Sequence, residues 1–327
     1  MALPSSPTRG ALDPTPPEGP DPYGNPDPDW LRIDWREHQR TIEVPTGESD
    51  YGAPTSPERP SDTTTVNVVE LGAGPGIDLI FVHGLSGCWQ NWLEQLPHFA
   101  REHRVVAMDL PGFGASPMPP WEISIERYAL LVRDLCAKLH VGDCVVVGNS
   151  LGGFVAAEAA THRPAWFSKL VLVSAAGVSS SRLRREPTEM AGRFAVATSP
   201  LLLMLQERGL LRPRIRDWAF RPIFHRPNGL RRELLWEFFH HGAGKPGFLP
   251  ALVGLAGYDI LDRLAEVDVP TLIVWGRNDH IVPVGDALEY GQRLSNSRTV
   301  ILDETGHVPM AERPVRFNRI LETFLAE

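Results

Sequence analysis

Cysteine, long apolar runs and net positive charge are all scarce in this 327-residue sequence. Its three cysteines, Cys88, Cys136 and Cys144, are odd in number, with no Cys-x-x-Cys pair and no histidines alternating with them. That excludes a disulfide framework and a zinc knot. They read as free thiols in a reducing compartment, with Cys136 and Cys144 as small core residues and Cys88 in a loop beside the candidate site. No stretch approaches the roughly 18 uninterrupted apolar residues of a membrane span. The N-terminus, Met-Ala-Leu-Pro-Ser-Ser-Pro, lacks the basic region and apolar run of a secretory leader. A soluble, cytoplasmic protein without an integral membrane segment is expected. The formal net charge of −8 and the pI of about 5.8 provide no basic field, so nucleic acid is excluded as a partner.

What is present suits a large α/β core: 43% hydrophobic and 22% charged residues, enough to bury a substantial interior. Residues 1–28 hold nine prolines and almost no large apolar side chains, a composition that predicts a disordered or loosely draped tail. Ile33 to Val44 and Thr63 to Leu71 are β-rich runs that predict two antiparallel strands, with a Pro/Gly/Ser-rich connection over 45–62. Six short apolar runs follow: Asp78 to Val82, Arg104 to Met108, Cys144 to Val147, Lys169 to Val173, Thr271 to Trp275 and Thr299 to Leu302. Between them helical periodicity predicts helices near 89–99, 124–140, 151–162, 283–294 and 311–325. Alternating strands and helices imply a mostly parallel, doubly wound sheet with its chemistry at the strand C-terminal ends. The alternation stops over 178–257, where Leu201, Leu202, Leu203 and Leu205, then Leu234, Leu235, Phe238 and Phe239, predict a helical insertion covering those ends. The core is thereby divided into 29–177 and 258–327.

Val145 to Val155 encodes a buried strand, the turn Gly148-Asn149-Ser150-Leu151-Gly152, and then a helix. So sharp a turn leaves no room for Cβ atoms beside the serine and presents its hydroxyl at a helix N-terminus, where developing negative charge is favoured. A serine hydroxyl is a weak nucleophile and needs a base, and the base needs an orienting acid. Asp279 follows the strand Leu272 to Trp275, and His307 follows the last strand after Gly306. The order Ser150, Asp279, His307 is the one recorded for a serine on this kind of turn. Asp303 and Glu304 lie too near His307 for its ring to turn back onto them, and the His240-His241 pair reads as part of a helix face. Ile80 to Gly87 is another strand running into a glycine-bearing loop. The backbone N–H groups of Leu85 and Leu151 are the expected oxyanion donors, with His83, Gly84 and Asn149 as supporting residues.

Taken together, the His83-Gly84 loop, Asp109-Leu110-Pro111-Gly112-Phe113-Gly114-Ala115-Ser116, Gly148 to Gly153, Trp275 to Asp279 with Pro283, and Gly306-His307 resemble the α/β-hydrolase superfamily over residues 63–327. The resemblance implies an eight-stranded, mostly parallel sheet flanked by helices, a Ser150-Asp279-His307 triad, and an inserted helical cap over 178–257. Its carboxylesterase-like members act on small-molecule esters without metal or cofactor. Haloalkane dehalogenases and epoxide hydrolases of the superfamily carry aspartate where this chain has Ser150. Members that take their acid from the strand after the nucleophile helix have a carboxylate where this chain reads Ser174-Ala175-Ala176. The Gly148-Asn149-Ser150 elbow is also similar to that of meta-cleavage product C–C hydrolases, which usually place tryptophan after the histidine where Val308 stands here. Cofactor-free haloperoxidases and perhydrolases share the triad, and a ligand-binding protein on a hydrolase scaffold is the alternative of another class.

From Ser181 to Gly247 there are twelve arginines and one lysine against six acidic residues. They form either a solvated helical face or a basic mouth for anionic substrates. Trp218, Phe220, Phe224, Trp236, Phe238, Phe239 and Phe248 provide an aromatic inventory, part of it for packing the insertion and part for a hydrophobic acyl pocket.

Overall fold

Leu79 and Phe81 pack toward one face of a strand and Ile80 and Val82 toward the other, and all four are fully buried. That is the signature of a strand covered on both sides. The structure is a computed structural model that describes residues 11–12, 21–46, 62–162, 166–210 and 212–327, with the side chains of 198–209 outside the description. Its strands are β1 Ala11–Leu12, β2 Gln39–Thr46, β3 Asp62–Leu71, β4 Asp78–Val82, β5 Val105–Met108, β6 Cys144–Asn149, β7 Phe167–Val173, β8 Thr271–Gly276 and β9 Ser297–Leu302. They form one sheet in the order β1-β9-β8-β7-β6-β4-β5-β3-β2. β3 runs antiparallel to both neighbours and the other pairs are parallel. The expected eight strands are β2 to β9, and β1 is a two-residue addition beside β9.

The helices are α1 Leu96–Phe99, α2 Ile125–Lys138, α3 Leu151–Thr161, α4 Arg185–Gly209, α5 Pro213–Phe220, α6 Arg232–Gly242, α7 Phe248–Leu255, α8 Gly285–Arg293, α9 Pro309–Glu312 and α10 Pro314–Ala326. Helices α2, α3 and α8 bury their apolar faces with Ile80, Val146, Leu172 and Ile273 on one side of the sheet. On the other side, α1 and α10 pack with Phe81, Val147, Val173 and Val274. Helices α4 to α7 lie between β7 and β8, and among the described residues between those strands there is no other strand. Leu234, Leu235 and Phe238 are buried there, while the side chains of Leu201, Leu202, Leu203 and Leu205 lie outside the description.

Several boundaries differ from the sequence expectation. The strand expected from Ile33 starts at Gln39, because Asp34 accepts the Arg36 N–H at 3.2 Å and caps a 3-10 turn over Trp35–Glu37. The helix expected over 89–99 is a 3-10 turn, Trp89–Trp92, followed by the single turn α1, which carries Pro97 in its first turn. The helix over 311–325 is split at Arg313, which has a non-helical backbone ahead of Pro314, as a proline demands of the residue before it. Parts of the proline-rich stretch lie against the body. Residues 11–12 pair with Arg298 and Thr299, and 21–26 are tied to the body through Tyr23, Gly24, Asn25 and Pro26. The rest of that stretch, 1–10 and 13–20, lies outside the described residues, as does 47–61 of the expected connection. Cys88, Cys136 and Cys144 are free and buried, and no described helix is long and apolar enough to cross a membrane.

Candidate active site

Five described non-glycine residues have positive φ, and four of them stand just past strand ends on one side of the sheet: Ser86 after β4, Ser150 after β6, Ser174 after β7 and Glu304 after β9. Such backbone costs free energy and persists only where the surroundings enforce it. At Ser150 (φ 54°, ψ −116°) the enforcement is visible. A Cβ added at Gly148 would come within 2.3 Å of Gly152 O, and one at Gly152 within 2.2 Å of Val82 O, both backbone atoms. Only glycine at these two positions lets β6 turn directly into α3 against β4. The Ser150 N–H is fixed to Val173 O at 2.9 Å. Because Leu151 opens α3, its N–H has no acceptor within the helix.

Past β8 and β9 the chain brings Asp279 to His307. Asp279 Oδ2 lies 2.8 Å from His307 Nδ1, while Oδ1 accepts the N–H groups of Ile281 (2.8 Å) and Val282 (2.9 Å). Oδ1 is taken by backbone donors and Oδ2 faces Nδ1, so Nε2 is the imidazole nitrogen left away from the carboxylate. Asn149 Nδ2 donates to Val173 O (3.0 Å) and His307 O (3.3 Å), tying the serine turn to the histidine loop. Asp303 and Glu304 point elsewhere: Asp303 pairs with Arg277, and Glu304 with Arg226 and Arg313.

The loop after β4 is held from below. His83 Nε2 accepts the Leu110 N–H (2.9 Å), which leaves Nδ1 to donate to Gly84 O (2.7 Å). Complete burial holds the His83 pKa below the usual histidine range. Asp109, whose role the sequence left unassigned, accepts from Trp89 N–H (2.7 Å), Asn67 Nδ2 (2.8 Å) and Ala115 N–H (2.8 Å). It thereby joins three segments beneath the loop. Cys88 is buried beside it, and burial pushes the thiol pKa well up.

Ser150, His307, Leu85, Gly84 and Asn149 line one cavity of about 600 Å³. The insertion closes the far side with Phe238, Phe239, Phe248, Leu252 and Leu255. Of the seven aromatic residues singled out in the insertion, only Phe238, Phe239 and Phe248 reach the cavity. Phe220 and Phe224 are buried in packing, and Trp218 and Trp236 face solvent. No arginine is among the described lining residues; Arg193, Arg221 and Arg226 pair with Glu189, Asp217 and Glu304. Leu151, Asp279 and His83 are not among the described lining residues. Sequence reasoning also passed over Glu312, a fully buried carboxylate that accepts the Gly306 and Val308 N–H groups on either side of His307. Its only signal was a glutamate five residues after the histidine, in what reads as a helix start.

Residues 79–320, from β4 into α10, match the alpha/beta hydrolase family. The chain is 28% identical over 272 residues to a pimeloyl-[acyl-carrier protein] methyl ester esterase of Aeromonas hydrophila, covering 80% of this chain and 99% of that one. It is 26% identical over 270 residues to a 2-hydroxy-6-oxo-6-phenylhexa-2,4-dienoate hydrolase of Comamonas testosteroni, covering 78% and 90%. Among solved structures, a thermophilic esterase from Thermogutta terrifontis superposes with a TM-score of 0.68 at 22% identity over 88% of this chain and 98% of that one, a likeness of fold. With most of its length matched, the chain belongs to the alpha/beta hydrolase family.

Proposed function

We propose that this protein is a serine hydrolase that cleaves a carboxylic ester, or a thioester or lactone, through an acyl-enzyme, with Ser150, His307 and Asp279 as its triad. One observation carries the reading: a serine on an enforced, positive-φ turn shares an apolar cavity with a histidine whose Nδ1 is held by a committed carboxylate. His307 Nε2 takes the Ser150 proton as the oxygen attacks the acyl carbon. Asp279 keeps the ring in the tautomer that can accept it and stabilises the imidazolium that forms. The N–H groups of Leu85 and Leu151 receive the oxyanion; loss of one such donor costs on the order of 3 kcal/mol of transition-state stabilisation. His307 returns the proton to the leaving alcohol. Water then attacks the acyl-enzyme with His307 as base again, the acid leaves as the Ser150 ester bond breaks, and His307 returns the proton to Ser150.

In this reading the insertion acts as a cap, and its phenylalanine and leucine side chains select a hydrophobic acyl or aromatic group. The cavity volume falls in the range of small-molecule sites, roughly 300–1,000 Å³. The dienoate named for the Comamonas relative carries a carboxylate, and the described lining offers it no lysine or arginine, which favours neutral esters over ring-fission ketones. The test is turnover of p-nitrophenyl esters, with fluorophosphonate labelling, in the parent and in Ser150→Ala. Loss of both in the variant supports the assignment; parental activity in Ser150→Ala overturns it. Fission of a dienoate at a rate above that of every ester in the panel would replace the substrate class and leave the nucleophile in place.

A further inference from the structure

Glu312 has no exposed surface, yet its carboxylate joins three separate parts of the chain. It accepts the Gly306 N–H at 2.9 and 3.0 Å and the Val308 N–H at 3.3 Å, the two amides flanking His307. It accepts the His225 N–H from the insertion at 2.8 Å. The His307 N–H itself donates to Ile223 O at 2.8 Å, so the two segments are stitched side by side. The last donor is the Tyr23 O–H, 2.5 Å from Oε2, on the segment that reads in the sequence as tail.

Tyr23 is itself held in place. Its oxygen accepts the Arg226 N–H at 2.7 Å, the Arg313 guanidinium lies 5.1 Å from its ring centroid, and the neighbouring Gly24 N–H donates to Glu312 O at 2.8 Å. Arg313 and Arg231 donate to Asp21 O (3.1 Å) and Pro26 O (3.0 Å). A carboxylate taken wholly out of water is costly unless its lone pairs are used. Three backbone N–H groups and one phenol use them here. Burial raises the Glu312 pKa, and burial beside that carboxylate pushes the Tyr23 phenol well above its ordinary value, so the phenol keeps the proton it donates. Because two of the donors flank His307, Glu312 holds the backbone that carries the imidazole.

We propose that Tyr23 and Glu312 form a clasp by which the N-terminal segment and the insertion together position His307. Neither residue touches substrate; both are positioning residues acting through the histidine, and the inference rests on the reading of His307 as the base. The test uses the full chain with Tyr23→Phe and Glu312→Gln, and with Ser150→Ala as reference. Tyr23→Phe removes one O–H and leaves the ring beneath Arg313. It is expected to lower kcat and the fluorophosphonate labelling rate roughly 3- to 10-fold, the weight of one hydrogen bond, with KM within twofold. Hydrogen exchange at the amides of 305–308 should quicken while that of β6 and β7 stays as in the parent. Glu312→Gln turns an NH₂ toward N–H donors and should act in the same direction, more strongly.

Unchanged kcat and unchanged exchange at 305–308 in Tyr23→Phe overturn the clasp, even if Glu312→Gln does not fold. So does a loss of activity seen only as raised KM with faster exchange across the whole sheet, the mark of a merely structural contact. Full activity in Ser150→Ala sinks the hydrolase reading instead, and the exchange at 305–308 then decides the clasp by itself.

Discussion

The two walls of the cavity are built on different physics. On the sheet side, Ser150 and His307 are fixed by backbone: close glycine contacts at Gly148 and Gly152, hydrogen bonds from Asn149 to Val173 O and His307 O, and a carboxylate with both oxygens engaged. On the insertion side, Phe238, Phe239, Phe248 and Leu252 present apolar side chains from helices, and little about their contribution is directional. Position within a few tenths of an ångström matters for proton transfer and oxyanion stabilisation, whereas apolar selection depends on volume and tolerates repacking. The difference teaches where each kind of substitution should register: chemistry on the sheet side, selectivity on the insertion side.

The largest effect expected from this contrast is at Asp279. Asp279→Asn keeps the shape of the site and presents an NH₂ to His307 Nδ1, favouring the wrong tautomer, so kcat should fall about 10³- to 10⁴-fold with little change in KM. A variant within tenfold of the parent on the same ester would remove Asp279 from its role. Gly152→Ala comes next. The new Cβ would lie 2.2 Å from Val82 O and 2.5 Å from His83 O, and since backbone cannot step aside cheaply, overpacking should cost about 1–3 kcal/mol of stability. Chemical denaturation reads this as a lower midpoint; an unshifted midpoint would mean the turn is looser than its contacts imply. The smallest effect belongs to the other wall. Phe239→Ala should raise KM for aromatic or long-chain esters by roughly tenfold, the weight of about 1.4 kcal/mol of lost apolar contact, and leave acetyl esters nearly unchanged. An equal loss on both substrates would blur the division between the walls.

Much of this was legible in the sequence, and for identifiable reasons. The central strands read correctly because they are apolar on both faces, and Asp78–Val82 has the bounds its sequence suggests. That the serine turn, Asp279 and His307 come together could be read because each follows such a strand. The insertion's lining was less so. Phe220 and Phe239 have the same composition and similar helical contexts, yet one packs inward and the other faces the cavity, a distinction set by tertiary placement. Tyr23 was hidden for a different reason. Composition gauges apolar burial, and the 21–26 segment is held mostly by hydrogen bonds to Glu312, Glu94, Arg231 and Arg313, which leave no hydrophobic pattern. Pro97 and Pro314 lie where the helical periodicity is interrupted, but that periodicity around them is the stronger sequence signal.

Besides the Ile223 and His225 contacts, the insertion meets the sheet side through glycine. Gly247 N–H donates to Gly112 O at 2.9 Å, and a Cβ on Gly242 would stand 2.2 Å from Ser86 O, in the loop that carries Leu85. For protein engineering this makes the insertion an exchangeable cassette with a narrow docking specification. A foreign helical segment grafted in place of 178–257 could carry a different apolar lining, provided it presents backbone without side chains at those two points and keeps backbone partners for His307 and Glu312 where Ile223 and His225 now stand. A graft that ignored them would press on the loop after β4, and a change intended for selectivity would reach the chemistry instead.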